Sequence, residues 1–460
     1  MSDLVPLSAP RPANPGPAAP TRKVWVHTFG CQMNQADSAR MVEALARDAA
    51  FGPAATPDEA DLILLNTCSV RDKAEQKLLS ALGRYREVKA RRGALIAVSG
   101  CVAQQEKEKL LKRVPYVDFV FGPDHVGRLP ELVARAERER FAETGWMDSE
   151  EYVFPRADPE ASRGRVTAFV TAMKGCDNVC AFCIVPHTRG REVSRPYAEV
   201  VGECASLAAV GVREVTLIGQ NVNSYRGGAT FAELLRRVAA VPGVERIRFT
   251  TSHPHDLSDA LVEVFRDEPR VMPHFHLPVQ SGSDAVLARM RRDYGVEAYL
   301  ARLAKLRAAR PGIAVTTDFI VGFPGESEED FQASLALLEA ARFDQSFSFV
   351  YSPRPKTLAA LRLGSSDAWA EVPRQAALAR LERLLAVQRR IAGEILAGEL
   401  GKVVEVLVEG PSEQPGQRLG RTPENRVVHV AADEGRAPPG ATLSVRVTRA
   451  GTSSLSGTPV

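Results

Sequence analysis

The chain has 460 residues, about three domains' worth at roughly 150 each, and its 45% hydrophobic and 25% charged residues exclude a wholly disordered, collagenous or coiled-coil molecule. Fifty-nine Lys and Arg against 56 Asp and Glu leave +3, too even to announce a nucleic-acid binder, so any such role needs a local patch. No apolar stretch approaches the roughly 20 residues of a bilayer span.

Residues 1–22 carry Pro6, Pro10, Pro12, Pro15, Pro17 and Pro20 and no apolar run. They read as a disordered tail rather than a secretory signal, which predicts a cytoplasmic protein. Seven cysteines, at 31, 68, 101, 176, 180, 183 and 204, are then better explained by metal or cluster ligation than by disulfides. From Lys23 a unit repeats three times: a short apolar run ending in a cysteine, then a segment of helical period. The runs are VWVHTFGC to Cys31, DLILLNTC to Cys68 and ALIAVSGC to Cys101. Such runs between helical segments predict a parallel α/β sheet, in which ligands gather beyond the strand carboxyl ends. All three cysteines fall there.

Residues 142–165 are acidic, contain Pro and Gly, and lack periodicity, so they read as a linker between an N-terminal domain at 23–141 and a core at 166–398. In that core, six apolar runs (RVTAFVTAM, EVTLIGQ, RIRFTTS, HFHLPVQ, AVTTDFIVGF and QSFSFVY) alternate with amphipathic segments. They predict a partial (βα)6 barrel with its site at the strand carboxyl ends. PRQAALARLERLLAVQRRIAGEILAGEL reads as one amphipathic helix. Residues 399–460 turn β-rich, as in a small closed β-barrel.

The densest chemical signal is GCDNVCAFCIVPHTRGREVSRP at 175–196, where Cys176, Cys180 and Cys183 lie within eight residues after the first barrel strand. Three thiolates on a 4Fe–4S cluster leave one iron open to another ligand. The alternative is a closed zinc site of these three with His187. The spacing Cys-x3-Cys-x2-Cys, with Phe182 before the last thiol, resembles the signature of radical S-adenosylmethionine enzymes. That resemblance implies S-adenosyl-L-methionine chelated to the open iron and Cys176, Cys180 and Cys183 as the catalytic cluster ligands. Cys204, in an apolar segment of helical period, reads as core packing.

Taken singly, Cys31, Cys68 and Cys101 could each be a buried core thiol. Their shared position at strand ends predicts instead a second 4Fe–4S cluster, if the strands are neighbours. The arrangement resembles the methylthiotransferases from about Val24 to the C-terminus. NTCSVRDKAEQK at 66–77 is closest to the branch acting on dimethylallyladenosine in tRNA, with further matches in HLPVQSGSD at 276–284, DFIVGFPGE at 318–326 and YSPRP at 351–355. The resemblance implies two 4Fe–4S clusters, one linked to the inserted sulfur and one generating the radical. It also implies a tRNA partner modified at carbon 2 of the adenine beside the anticodon, position 37, and a reductant such as flavodoxin or ferredoxin; we expect a monomer. Alternative acceptors are threonylcarbamoyladenosine in tRNA and a ribosomal-protein aspartate, both disfavoured by Ser69-Val70-Arg71 after Cys68. A reading of another class is a non-catalytic iron–sulfur RNA-binding sensor.

Among supporting residues, Gln220 and Asn221, and Gln280, Ser281 and Gly282, follow barrel strands and are expected either at the cofactor pocket or in loop capping. Gly322 to Glu326 offer close backbone approach or a turn. His253 with His255, and His274 with His276, sit two apart on strand ends, where ordinary hydrogen bonding is the expected role. Arg189, Arg191 and Arg195 suit either a phosphate or carboxylate ligand or surface ion pairs. GQRLGRTPENRVVHV resembles the TRAM domain associated with RNA binding, which makes Arg418, Arg421 and Arg426 candidate RNA contacts.

Overall fold

A computed structural model describes residues 22–69 and 74–460. Residues 1–21 of the expected tail, and Val70, Arg71, Asp72 and Lys73 of the 66–77 stretch, lie outside the described residues. The chain forms two compact units. One comprises residues up to Ala161 with Lys174–Asp177 and Ile184–Val193; the other comprises Ser162–Met173, Asn178–Cys183 and Ser194–Val460.

The first unit is built on six parallel strands: β1 (Arg22–Thr28), β2 (Phe51–Pro53), β3 (Leu62–Thr67), β4 (Leu95–Gly100), β5 (Phe119–Phe121) and β6 (Phe141–Glu143), in the order β2-β1-β3-β4-β5-β6. The three apolar cysteine runs are thus the strands β1, β3 and β4, which the structure makes neighbours, the condition the sequence reading leaves open. β3 is buried along its whole length because both faces are covered. Ile63 and Leu65 join Ile96, Val98, Leu78 and Leu82 in one core. Leu62 and Leu64 join Met41, Leu45, Phe119 and Phe121 in the other. That two-sided burial is why the strand reads as a continuous apolar run rather than an alternation. β2, β5 and β6 have three residues each and give no comparable signal in the sequence. The chain reverses its direction of travel across the sheet between β1 and β3, the topological switch point at which open sheets bind ligands.

The second unit carries the six expected barrel strands. With the short pair β8 (Met173–Lys174) and β9 (Val193–Ser194) between the first two, these are β7 (Thr167–Thr171), β10 (Glu214–Ile218), β11 (Arg246–Phe249), β12 (His274–His276), β13 (Ala314–Val321) and β14 (Gln345–Val350). They form parallel triplets β7-β10-β11 and β12-β13-β14, with a further parallel bridge from Ile247 to Val271. Side-chain caps start the intervening helices. Thr230 with Glu233 and Ser327 with Asp330 close capping boxes, and Ser258 and Ser283 cap singly. Phe249, Phe265 and Phe275 pack edge-on or tilted beneath the strands.

The expected amphipathic helix spans Arg374–Ala397. Beyond it β15 (Val403–Pro411), β16 (Arg418–Arg421), β17 (Val427–Val430), β18 (Thr442–Ala450) and β19 (Leu455–Pro459) close a barrel around Val406, Val428, Val430, Val445 and Leu455. The barrel is tied to its neighbours by Arg246 to Glu405 (2.7 Å) and by Arg248 to the carbonyls of Thr422 and Pro423. Among the described residues no helix is long and apolar enough to cross a membrane.

Candidate functional site

In the first unit Cys31 caps the helix Gln32–Asp48 just past β1, Cys68 follows β3 directly, and Cys101 opens the helix Cys101–Glu106 after β4. Three neighbouring parallel strands therefore deliver three thiols to one rim of the sheet. Glycines make the approach possible. Gly30 and Gly100 hold φ of +118° and +89°, and a Cβ on Gly30 would stand 3.0 Å from the Cys68 sulfur. Cys68 and Cys101 are buried, whereas Cys31 reaches solvent.

The Cys31 thiol is brought down to about 6. A hydrogen bond with Cys68 contributes most, and the charge of Arg189 and a backbone contact at Asn34 add to it, against burial and Asp37. Arg189 is itself buried, with Nη2 2.8 Å from Asn34 Oδ1 and 2.7 Å from Asp37 Oδ2. Burial alone would favour its neutral form, but Asp37, Cys101 and Cys31 keep it firmly charged. Asn66 ties the end of β3 to the helix Gln32–Asp48 through its Nδ2, which donates to the Asn34 carbonyl and to Ser38 Oγ. Its Oδ1, Ser69 Oγ and Ser99 Oγ are buried and without a hydrogen-bond partner among the described residues. Buried polar atoms are normally satisfied, and three that are not lie at this rim.

The second cysteine group is divided: Cys176 belongs to the first unit, Cys180 and Cys183 to the second. Cys176 follows Gly175, at φ +73°, where any Cβ would run into the Arg191 carbonyl, and its amide donates to the Gly190 carbonyl (3.2 Å). In the second unit the loop is pinned by Ala181 N to Met290 O (2.9 Å) and Ala359 N to Ala181 O (2.8 Å). Arg292 Nη1 lies 3.3 Å from Cys180 Sγ.

Among the described residues, no three His, Cys, Asp or Glu side chains are gathered tightly enough for a single metal ion.

At the barrel strand ends Asn221 is buried; Nδ2 donates to Asp256 (2.8 Å) and Oδ1 has no hydrogen-bond partner among the described residues. Gln220 is partly buried beside it. Gln280 takes a left-handed φ of +74° and bridges to β13, exchanging backbone bonds with Asp318 and Ile320. Ser281 and Gly282 lie against Ser334, whose Oγ accepts from the Gly282 amide (2.9 Å). Gly322 N donates to Glu326, whose carboxylate pairs with Arg380, so this segment is a turn fastened by an ion pair.

His253 and His276 are hydrogen-bonded to neighbouring elements, whereas His274 Nδ1 is buried without a hydrogen-bond partner among the described residues. Asn223 exchanges two hydrogen bonds with the His253 backbone, and burial, helped by Arg292, lowers the His253 imidazole to about 3. His276 bonds Thr316 (2.9 Å). Cys204 is fully buried, and its thiol is pushed up to about 12 by desolvation. Arg195 is buried between Glu199 and Glu203, while Arg191 is exposed beside Asp177.

Compared with known proteins, residues 23–122 match the uncharacterized protein family UPF0004, 170–338 the radical SAM superfamily and 398–460 the TRAM domain. A tRNA-2-methylthio-N(6)-dimethylallyladenosine synthase of Anaeromyxobacter sp. (strain K) is 81% identical over the whole of both chains. The synthase of Myxococcus xanthus is 64% identical over 95% of this chain and 94% of its own. The chain belongs to the tRNA-2-methylthio-N(6)-dimethylallyladenosine synthase family. Among solved structures, the radical S-adenosylmethionine methyltransferase TsrM from Kitasatospora setae, 15% identical, covers 75% of this chain and 76% of its own at a TM-score of 0.55, and so shares the fold.

The C-terminal arginines are each paired with carboxylates. Arg418 lies 3.6 Å from Glu434, Arg421 lies 3.2 Å from Glu409, and Arg426 bridges Asp344 (2.9 Å) and Glu399 (3.3 Å). Sequence reasoning passed over two features of the second unit. Arg292 carries no local signal, since it sits in a polar turn 112 residues after Cys180. Phe347 and Phe349 are half-exposed on β14, in register with Asp318 and Ile320 and with the His276 ring 5.9 Å from Phe347. Their alternation with buried Ser346 was legible, but as an ordinary strand.

Proposed function

We propose that this protein is a tRNA methylthiotransferase that converts N(6)-dimethylallyladenosine at position 37, beside the anticodon, to its 2-methylthio derivative. The observation that carries the reading is the delivery of Cys31, Cys68 and Cys101 to one rim of a parallel sheet, in a chain that also holds the Cys176, Cys180 and Cys183 loop. The donor sets suit iron–sulfur clusters: thiols only, with buried polar atoms left open at the first set and a guanidinium on sulfur at the second. Cys176, Cys180 and Cys183 would hold the catalytic cluster, and Cys31, Cys68 and Cys101 a second one. Bound there, the clusters with S-adenosyl-L-methionine would supply hydrogen-atom abstraction from carbon 2 and the sulfur to be inserted.

This chain's own residues would bind and orient. Gln220 and Asn221, with Gln280, Ser281 and Gly282, would shape the cofactor pocket, where the unspent Asn221 Oδ1 can accept from a ligand amine. Phe347 and Phe349 offer an apolar platform of the kind on which unstacked bases rest. Arg418, Arg421 and Arg426 would meet phosphate only by exchanging their present carboxylate partners, so RNA affinity would be shared with other surfaces. The functional divisions would be residues 23–141, 166–398 and 399–460, joined through 142–165. A flavodoxin or ferredoxin would supply electrons to a cytoplasmic monomer.

Anaerobic reconstitution followed by turnover with tRNA bearing or lacking the dimethylallyl group tests the reading. Nucleoside mass spectrometry should find the 2-methylthio product only with the alkylated tRNA; 5′-deoxyadenosine without any thiomethylated nucleoside would refute it. Replacing Cys31, Cys68 and Cys101 together by Ala should remove about half the iron and spare reductive cleavage of S-adenosylmethionine. Unchanged iron would defeat the second cluster.

A further inference from the structure

Arg292 is 8% exposed, and each of its hydrogen bonds goes to a group without formal charge or to sulfur. Nε donates to Tyr294 Oη (2.8 Å), Nη2 to the Pro278 carbonyl (3.0 Å), and Nη1 to Cys180 Sγ (3.3 Å). Tyr294 is locked in turn onto the carbonyls of Pro278 and Val279. No carboxylate among the described residues pairs with this guanidinium. Burying a cation without a counter-charge costs several kcal/mol in general, and the arginines buried elsewhere in this unit show the usual remedy. Arg195 has Glu203, Arg248 has Glu214 and Arg380 has Glu326. Arg292 alone of these four points at a cysteine.

We infer that Arg292 is a positioning residue for the cluster held by Cys180, serving as the fixed counter-charge and hydrogen-bond donor to that ligand sulfur and thereby setting how readily the cluster accepts an electron. The inference rests on Cys180 being a cluster ligand. Hydrogen bonds to ligand sulfurs and the net charge around a cluster are the protein's principal levers on its potential. A planar fork braced at two further points holds the donor in place. Because the guanidinium carries a full positive charge into a site screened from water, it favours the reduced, more negative cluster. Its removal therefore makes reduction harder.

The test uses the full-length protein reconstituted anaerobically, with Arg292→Gln and Arg292→Lys beside the unaltered chain. The cluster followed is the one whose electron paramagnetic resonance signal changes on adding S-adenosylmethionine, and Cys180→Ala should abolish that response. Arg292→Gln is expected to keep the cluster while losing at least tenfold in its reduction equilibrium, a shift of about 59 mV to more negative potential for a one-electron couple. Arg292→Lys, retaining charge but not the fork, should fall between. An unchanged potential in Arg292→Gln overturns the inference. Loss of the cluster from both variants alike also overturns it, because a purely structural role then suffices. If the unaltered protein shows no cluster responsive to S-adenosylmethionine, the parent reading fails and this one with it.

Discussion

Replacing Gly30 by Ala tests the glycine-enforced approach at the three-cysteine rim. The backbone there holds φ at +118°, and a new methyl would lie 3.0 Å from Cys68 Sγ and nearer still to its Cβ, well inside a normal ~3.5–4.0 Å contact. Two costs add: about 1–3 kcal/mol of backbone strain and about 1–3 kcal/mol of overpacking against a buried residue. The sum, roughly 2–6 kcal/mol, should appear in the opening free energy of β1 and β3 amides measured by hydrogen exchange on metal-free protein. Gly93→Ala is the internal control. Gly93 also has a positive φ (+72°), but nothing lies within 4 Å of the added methyl, so only the conformational cost of about 1–2 kcal/mol applies. In reconstituted protein Gly30→Ala should also lose iron, because Cys68 must move, while Gly93→Ala should not. Equal destabilisation by the two substitutions, with equal iron content, would refute the argument.

Arg195→Met should destabilise the second unit by about 3–5 kcal/mol, since Arg195 is fully buried between Glu199 and Glu203 and the substitution removes the cation both carboxylates face; hydrogen exchange on β7 and β10 would show it, and a loss under 1 kcal/mol would contradict it. His253 should stay neutral through physiological pH. With a folded value near 3 against 6.5 unfolded, its contribution is complete above about pH 6.5 and is lost progressively as pH falls toward 3, by about 1.4 kcal/mol for each full unit. A pH series of exchange protection should show that slope, and His253→Asn should flatten it. Phe347→Ala and Phe349→Ala should each raise KM for tRNA about 5- to 150-fold, the equivalent of about 1–3 kcal/mol of base stacking. Formation of 5′-deoxyadenosine without tRNA should be unaffected; a uniform loss of both activities would mean that the substitutions damage the fold instead.

Where apolar runs were long, the sequence was easily legible. Leu62 to Thr67 and Leu95 to Gly100 announce buried parallel strands because both sheet faces are covered, and cysteines closing such runs must meet at one rim once the strands pair. Three-residue strands such as β5 leave no periodic trace, and β16 and β19 are interrupted by glycines that a closed barrel requires. Any Cβ on Gly420 or Gly457 would collide with a neighbouring strand's carbonyl. Long-range partners were illegible for a different reason. Nothing near Arg189 signals that it belongs with Asn34 and Asp37, some 150 positions earlier, and no local charge count around Arg426 can register Asp344 or Glu399. The matching of buried charges is decided by tertiary packing, which sequence periodicity does not encode.

The rim at β1, β3 and β4 also fixes an order of events during biogenesis. Cys31, Cys68 and Cys101 come together only through parallel pairings, each bridged by a crossover of about thirty residues, and such non-local pairings are slow to form. Until the third strand has emerged from the ribosome and docked, the first two thiols are an incomplete set. A cluster held at this rim, as proposed, would therefore be loaded after the sheet has matured instead of nucleating it, and a delivery factor would meet a folded domain, not a nascent chain.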